Sequence, residues 1–179
     1  MVWAWKGGKS PAYSPPAVRS HSKQLTVRRP DQVLDTEIRI DVQRTDDDHV
    51  VVVHDRDLMR VGNEPAVITE ASYAGLAKVD IGSWFGASFA DQRLPTLEQV
   101  LVRCKKAIKV NIELKYYNWD DRLAHRVIEI VEESGTENDI VVMSLQPEAV
   151  RQVKSLRPGW QVGLLSAAAL TLSIDFSKF

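Results

Sequence analysis

Segments with strand character and segments with helix character alternate along the chain from residue 35 onward. Polar and apolar residues alternate over Thr36–Thr45 and again over Ile108–Lys115, as they do in strands that bury one face. Asp120–Ser134 instead repeats its apolar residues every three or four positions, and Gly135 follows as a helix stop. Such alternation is typical of α/β proteins, in which helices connect neighbouring parallel strands.

The other predicted elements fit the same order. The continuous run Val50–Val53 predicts a strand that is covered on both faces in a parallel sheet. Thr96 and Gln99 have the spacing of a capping box, which predicts the start of a helix. We further predict a strand, a helix and a last strand at Asp139–Ser144, Pro147–Leu156 and Trp160–Leu165.

Composition limits the classes of function that this chain can have. Hydrophobic residues make up 44% of it, which is enough to build a core and excludes wholesale disorder. The net charge of −1 gives no reason to expect nucleic acid as a partner. Because the chain has a single cysteine, Cys104, an internal disulfide framework is excluded. No apolar run approaches the ~18 residues that a membrane span requires. A cytoplasmic and a membrane-peripheral location are both compatible with these features.

Residues 1–34 differ from the remainder and predict an irregular basic segment before a domain at residues 35–179. Residues 1–30 contain six Lys or Arg, no acidic residue and four of the eight prolines. Three interpretations compete: a transit peptide, a basic arm for an anionic partner, and a disordered or wrongly started terminus. Composition favours the last of these.

The polar rows of the two alternating strands are the first indication of a site. Arg39 and Asp41 share the polar face of one strand, and Glu113 and Lys115 share that of the other. In a barrel these rows would point into the lumen near the carboxyl ends of the strands, where barrel enzymes carry their sites. In a half-exposed sheet they would face water. The pattern alone leaves both interpretations open.

His54 ends the run of valines, at a position where α/β proteins often carry chemistry. Histidine suits general acid–base catalysis because its charge changes near neutral pH. A core histidine held by hydrogen bonds is the alternative interpretation. The nearby run Asp46–His49 has the residue types of a metal cluster, but such a run between two strands is more typical of a solvated turn.

Several motifs, in order, resemble the glycerophosphodiester phosphodiesterase family. Residues 45–55 are similar to the family signature T-x-D-G-x-x-V-V-x-H-D, with Asp48 where the family usually has glycine. Further similar segments are Asp80–Phe85, Leu94–Glu98, Asn111–Lys115 and Val142–Leu145. The resemblance covers the middle of the chain and is absent from residues 1–30.

The resemblance implies an α/β fold, a (β/α)₈ TIM barrel of the phosphatidylinositol-phospholipase-like type. It also implies hydrolysis of a small-molecule glycerophosphodiester to sn-glycerol 3-phosphate and an alcohol. By position, His54 matches a catalytic histidine and Lys115 matches the lysine beside the phosphate. Asp41 and Glu113 match two carboxylate ligands of a divalent cation, Ca²⁺ or Mg²⁺, for which hard oxygen ligands are suited.

This sequence departs from the family pattern at three further places. The H-R motif of the first barrel strand and the P-E-N-T stretch after it cannot be read here. Arg39 stands where the resemblance places another metal carboxylate, and its guanidinium would repel a divalent cation and offer Asp41 an ion-pair partner. Glu37 could supply that carboxylate if two residues were inserted, which a strand accommodates only with a bulge.

The chain is short for a complete barrel, for which about 250 residues are typical. Phe179 follows soon after the predicted sixth barrel strand, so we expect an incomplete barrel with open edges that favour self-association. Two hypotheses follow. The chain is either an impaired metal-dependent phosphodiesterase or a non-catalytic relative that binds only a metal or a partner.

Overall fold

The computed structural model describes residues 37–166, and the irregular segment predicted for residues 1–34 lies outside them. The strands are β1 (Glu37–Arg44), β2 (Val50–Val52), β3 (Asp57–Leu58), β4 (Glu64–Val67), β5 (Lys109–Leu114), β6 (Ile140–Ser144) and β7 (Val162–Leu164). The helices are α1 (Met59–Gly62), α2 (Tyr73–Leu76), α3 (Leu97–Cys104), α4 (Asp121–Ser134) and α5 (Pro147–Leu156). Single turns of 3₁₀-helix lie at Ile68–Glu70, Ala87–Phe89 and Glu137–Asp139.

Five strands form the main sheet in the order β2-β1-β5-β6-β7, and β3 and β4 form a small second sheet. Strands β1, β5, β6 and β7 are parallel, and α4 and α5 are the crossovers between β5, β6 and β7. The predicted α/β class is therefore confirmed. Local sequence signals located these helices well: Asp120 caps α4, and Gly135 ends it in the left-handed conformation at φ 61°.

The prediction that Val50–Val53 belongs to the parallel part of the sheet was wrong. The valines are buried, but β2 runs antiparallel to β1. The reason is the short connection of residues 45–49, because parallel neighbours need a crossover of about a dozen residues or more. The hairpin carries the chain back along β1, and the Val53 amide donates to the carbonyl of Asp41 at 2.9 Å. His54 therefore follows a returning strand and lies close to Asp41 in the sheet.

The acidic run Asp46–His49 forms the turn of this hairpin. The Thr45 hydroxyl donates to an Asp47 carboxylate oxygen at 2.7 Å, and Asp48 has the left-handed φ of 71°. That φ explains the glycine of the family signature at this position. Here the carboxylate of Asp48 pairs with Arg44 at 3.0 Å and with Arg122 of α4 at 2.7 Å, which joins the turn to that helix.

The predicted apolar face of the sheet is buried under the helices. Side chains from β1, β5 and β6 form one core with residues from α3, α4 and α5, among them Ile40, Val42, Val110, Ile112, Leu114, Leu101, Leu123, Val127, Val131 and Val153. Full burial of one such side chain contributes on the order of 1.5–3 kcal/mol. Since the helices cover this face, the polar residues of β1 and β5 lie on the opposite face.

A second cluster of buried side chains holds the segment between β2 and α3. It comprises Val51, Val53, Leu58, Val61, Ile68, Leu76, Ile81 and Leu94. This cluster fixes the two-stranded sheet and α1 beside His54, so Arg60 of α1 reaches the same region. Within residues 37–166, none of the helices has the length and apolar character needed to cross a membrane.

Candidate active site

Two buried carboxylates, Asp41 and Glu113, lie side by side on the polar face of the sheet. They are direct partners in the parallel register of β1 and β5, so both side chains leave the sheet on the same side. Asp41 is 7% exposed and Glu113 is 0% exposed. Two acids at such depth need compensating charges.

Arg39 and Lys115 supply those charges. Arg39 Nη2 forms a close ion pair with Glu113 Oε2 and lies 3.9 Å from Asp41 Oδ1. Lys115 Nζ lies 3.7 Å from Glu113 Oε1. Asp41 Oδ1 and Glu113 Oε1 are buried and have no hydrogen-bond partner among the described residues. The ion pair of Arg39 with Asp41, which the sequence predicted, is thus longer than the ion pair of Arg39 with Glu113. The guanidinium mainly pairs with Glu113.

The protonation of Glu113 reflects this crowding. Burial raises the pKa of Glu113, and the hydrogen bond and charge of Asp41 raise it further. The positive charges of Arg39 and Lys115 act in the opposite direction without cancelling the rise. Glu113 therefore holds a proton more readily than an exposed glutamate would.

His54 is held next to this pair by contacts on both ring nitrogens. Its Nε2 lies 3.2 Å from Lys115 Nζ and its Nδ1 lies 2.9 Å from Asp55 Oδ1. Because an ammonium group has no acceptor, Nε2 accepts from Lys115 and Nδ1 carries the proton that Asp55 accepts. Tyr117 Oη donates to the His54 carbonyl at 2.9 Å, and the side chain of His54 is 42% exposed. The ring is thus oriented and still open to a ligand.

Asp55 is fixed in turn by its neighbours. Arg60 Nε donates to Asp55 Oδ2 at 2.6 Å, and Gln43 Nε2 donates to the Asp55 carbonyl at 2.7 Å. Burial alone would raise the pKa of Asp55, but hydrogen bonds from His54 and Arg60 outweigh it and hold the pKa below its usual range. The carboxylate therefore stays charged beside the imidazole.

Sequence reasoning missed the positioning role of several of these residues. Asp55 could have been found, because it follows His54 directly in the H-D motif. Gln43 lies on the same strand face as Asp41, but nothing in the sequence indicated that it bonds the carbonyls of Val53 and Asp55. Tyr117 has no sequence signal at all.

The structure brings together Asp41, His54, Glu113 and Lys115 but not Glu37. Glu37 begins β1 and accepts a hydrogen bond from Asn111 at 3.2 Å. It lies four residues before Asp41, which is about 13 Å along an extended strand. The register runs without a shift from Glu37 to Val42, so β1 contains no bulge that would bring Glu37 nearer.

The residues of this site do not fit a divalent cation. No cluster of three or more His, Cys, Asp or Glu positioned for a metal ion occurs within residues 37–166. Each unbonded oxygen of the acid pair already faces a cationic side chain, at 3.9 Å for Asp41 and 3.7 Å for Glu113. Ca²⁺ binds six to eight oxygens at about 2.3–2.6 Å, so an ion between these acids would lie against a guanidinium and an ammonium.

The paired acids and the oriented histidine lie near the carboxyl ends of parallel strands whose other face is covered by helices, which is where barrel enzymes carry their sites. Comparison with known proteins agrees. Residues 37–178 match the glycerophosphoryl diester phosphodiesterase family, and the chain belongs to this family. Named members of the family are phosphoric diester hydrolases, which generally depend on a divalent cation.

Relatives match over part of their own length. YhdW of Bacillus subtilis is 34% identical over 121 residues, which are 68% of this chain and 50% of that protein. The glycerophosphodiester phosphodiesterase of Caldanaerobacter subterraneus is 32% identical over 139 residues, 74% of this chain and 56% of that protein. The chain spans about half the length of the curated relatives it matches.

Solved structures confirm the fold. A glycerophosphodiester phosphodiesterase from Agrobacterium tumefaciens superposes with a TM-score of 0.63 at 25% identity, over 71% of this chain and 53% of that one. A phosphodiesterase from Oleispira antarctica superposes with a TM-score of 0.71 at 23% identity, over 76% of this chain and 56% of that one. These neighbours are TIM-barrel enzymes, so residues 37–166 form part of such a barrel.

Proposed function

We propose that this chain hydrolyses glycerophosphodiesters to sn-glycerol 3-phosphate and an alcohol, and that it does so slowly. The observation that carries the proposal is the contact of His54 Nε2 with Lys115 Nζ at 3.2 Å, directly beside Asp41 and Glu113. Family membership supports the substrate class. The Oleispira antarctica relative of similar fold was solved with sn-glycerol 3-phosphate as its product.

The chain's own residues suit one part of this chemistry. Hydrolysis breaks the bond between phosphorus and the alcohol oxygen and forms a bond between phosphorus and a water oxygen. His54 can take a proton from the attacking water at Nε2, the nitrogen that carries none, and pass it to the departing alkoxide, while Asp55 holds the Nδ1–H. Lys115 Nζ can offer its positive charge to a phosphate oxygen. One such positioned acid or base contributes about 10²–10⁴-fold to the rate.

Two features support a slow rather than a normal rate. The resemblance implies Ca²⁺ or Mg²⁺ held by carboxylates such as Asp41 and Glu113, yet Arg39 and Lys115 already neutralise this pair. No step is therefore assigned to a cation. The resemblance also implies two histidines, and among the described residues His49 lies against Tyr73 and His125 is exposed on α4. Neither contacts His54.

A non-catalytic role is the second candidate. The ion pair between Arg39 and the buried Glu113 favours it, because a neutralised acid pair can be retained for structure alone. On this alternative the chain binds a ligand or a partner and turns nothing over.

The test is phosphorus NMR of glycerophosphocholine incubated with the chain, with Ca²⁺, with Mg²⁺ and with chelator. We expect slow formation of glycerol 3-phosphate, and His54→Ala should lower the rate by about 10²–10⁴-fold. His125→Ala is the matched control, since this histidine is exposed on α4 and should be dispensable. No turnover by the unmodified chain under any condition, or equal rates for His54→Ala, would favour the non-catalytic alternative.

A further inference from the structure

We propose that Arg39 is a phosphate-binding residue that takes the place of a divalent cation, so that this site binds phosphate esters without metal. The inference rests on the proposed function for the class of ligand. It assigns a role to the residue that least fits the family pattern.

The first support is the way in which Arg39 is anchored. Its backbone lies in β1, and its guanidinium reaches across the sheet to Glu113, which is completely buried in β5. The Arg39 side chain nevertheless remains 53% exposed. A guanidinium carries five N–H donors, so an arginine that is held at one edge can still meet a ligand from the open side.

The second support is the balance of charge. Asp41 and Glu113 bring two negative charges, and Arg39 and Lys115 bring two positive charges within 4 Å of them. A divalent cation would leave two positive charges in excess at this buried pair. A phosphate ester would leave an excess of negative charge, but its oxygens meet cationic side chains that the acids already hold in place, which lowers the cost of ordering them.

The third support is the position of Arg39 relative to the rest of the site. Arg39 contacts Oε2 of Glu113 and Lys115 contacts Oε1, so the two cations flank one carboxylate. Lys115 also contacts His54. A phosphate bound between Arg39 and Lys115 would therefore lie next to the imidazole. Arginine suits this task because its planar fork can bind two phosphate oxygens at once.

The experiment is calorimetric titration of sn-glycerol 3-phosphate and, separately, of inorganic phosphate into the chain with excess chelator. We expect binding of both anions. Arg39→Gln should weaken it by about tenfold or more, because hydrogen bonds between charged groups are the strong ones. The affinity of Arg39→Lys should lie between those of the unmodified chain and Arg39→Gln. Lysine keeps the positive charge but lacks the planar guanidinium that can bind two oxygens at once. Arg151→Gln is the matched control: Arg151 is 54% exposed and pairs with Glu148 on α5.

A second titration uses Ca²⁺ alone, and thermal melts establish that each variant is folded. The unmodified chain should bind Ca²⁺ weakly, and Arg39→Glu should bind it at least about tenfold more tightly, because a third acid replaces a positive charge. Anion binding that requires Ca²⁺, or that is unchanged in Arg39→Gln, overturns the inference. These outcomes are distinct from those for the proposed function, which stands or falls on turnover that depends on His54.

Discussion

The guanidinium of Arg39 on β1 reaches diagonally to the carboxylate of Glu113 on β5, although its direct neighbour in the register is Asn111. Glu113 is itself the register partner of Asp41. The ion pair therefore spans two positions of the sheet and changes an acidic pair into a charge-balanced row. This arrangement determines both the chemistry that we propose and the stability of the site.

Glu113→Gln should gain stability relative to the unmodified chain as the pH rises. Burial and the neighbouring Asp41 raise the pKa of Glu113, so its folded-state pKa lies above its unfolded value. Its contribution to stability is fully present below the unfolded pKa and is lost as the pH rises through the folded pKa. Glutamine does not titrate, so Glu113→Gln does not lose this stability as the pH rises.

Urea unfolding of both chains between roughly pH 4 and pH 8 measures this difference. Glu133→Gln is the control, because Glu133 is exposed on α4. A difference between Glu113→Gln and the unmodified chain that does not grow with pH would contradict the expectation.

Asp80→Asn should destabilise the loop of residues 80–93, and the effect should become smaller in acid. The Asp80 carboxylate accepts hydrogen bonds from the amides of Gly82, Ser83 and Asp91, which hold its pKa far below the usual range. A depressed pKa stabilises the fold above the unfolded pKa of an aspartate, and this stability is lost as the pH falls toward the folded value.

Thermal melts from neutral pH to about pH 3 should therefore show a difference between Asp80→Asn and the unmodified chain that narrows as the pH falls. Asp91→Asn should match the unmodified chain throughout. Asp91 is highly exposed at φ 65°, a conformation that asparagine tolerates. Equal melting temperatures of Asp80→Asn and the unmodified chain at neutral pH would count against this account.

Substitutions of Asp48 should separate backbone strain from ion pairing in the hairpin turn. Asp48→Ala removes the contacts with Arg44 and Arg122 and keeps a Cβ at φ 71°. Asp48→Gly removes the same contacts and relieves the backbone. We expect Asp48→Ala to be less stable than Asp48→Gly by about 1–2 kcal/mol, measured by denaturant unfolding. Equal stabilities would mean that the turn relaxes away from the left-handed conformation.

Gly135→Ala should destabilise the end of α4. Gly135 has φ 61°, and an added Cβ would lie 3.2 Å from Lys105 Nζ. A loss of about 1–2 kcal/mol is expected from the left-handed conformation alone. Gly159→Ala is the matched control, because its φ lies outside the left-handed range and an added Cβ there would meet no atom within 4 Å. A comparable loss in both variants would refute the conformational explanation.

Elements whose pattern is local could be predicted from the sequence. The helix at Pro147–Leu156 has the predicted bounds, and the capping box of Thr96 and Gln99 is present, because helix starts depend on contacts within one turn. The alternation in β1 and β5 also predicted which side chains share the polar face. The direction of β2 was mispredicted, because a run of buried valines suits parallel and antiparallel strands equally; the short connection after β1, which excludes a parallel crossover, was the signal that was missed.

The sequence by itself therefore determined the α/β class, the polar rows of β1 and β5, and the motifs that identify the family. Only the tertiary structure decided how those rows interact. Arg39 and Glu113 are 74 residues apart, and their pairing depends on the register between two strands. His54 reaches Lys115 because the hairpin returns β2 along β1. Such contacts depend on the distances between elements, which no local pattern of residues encodes.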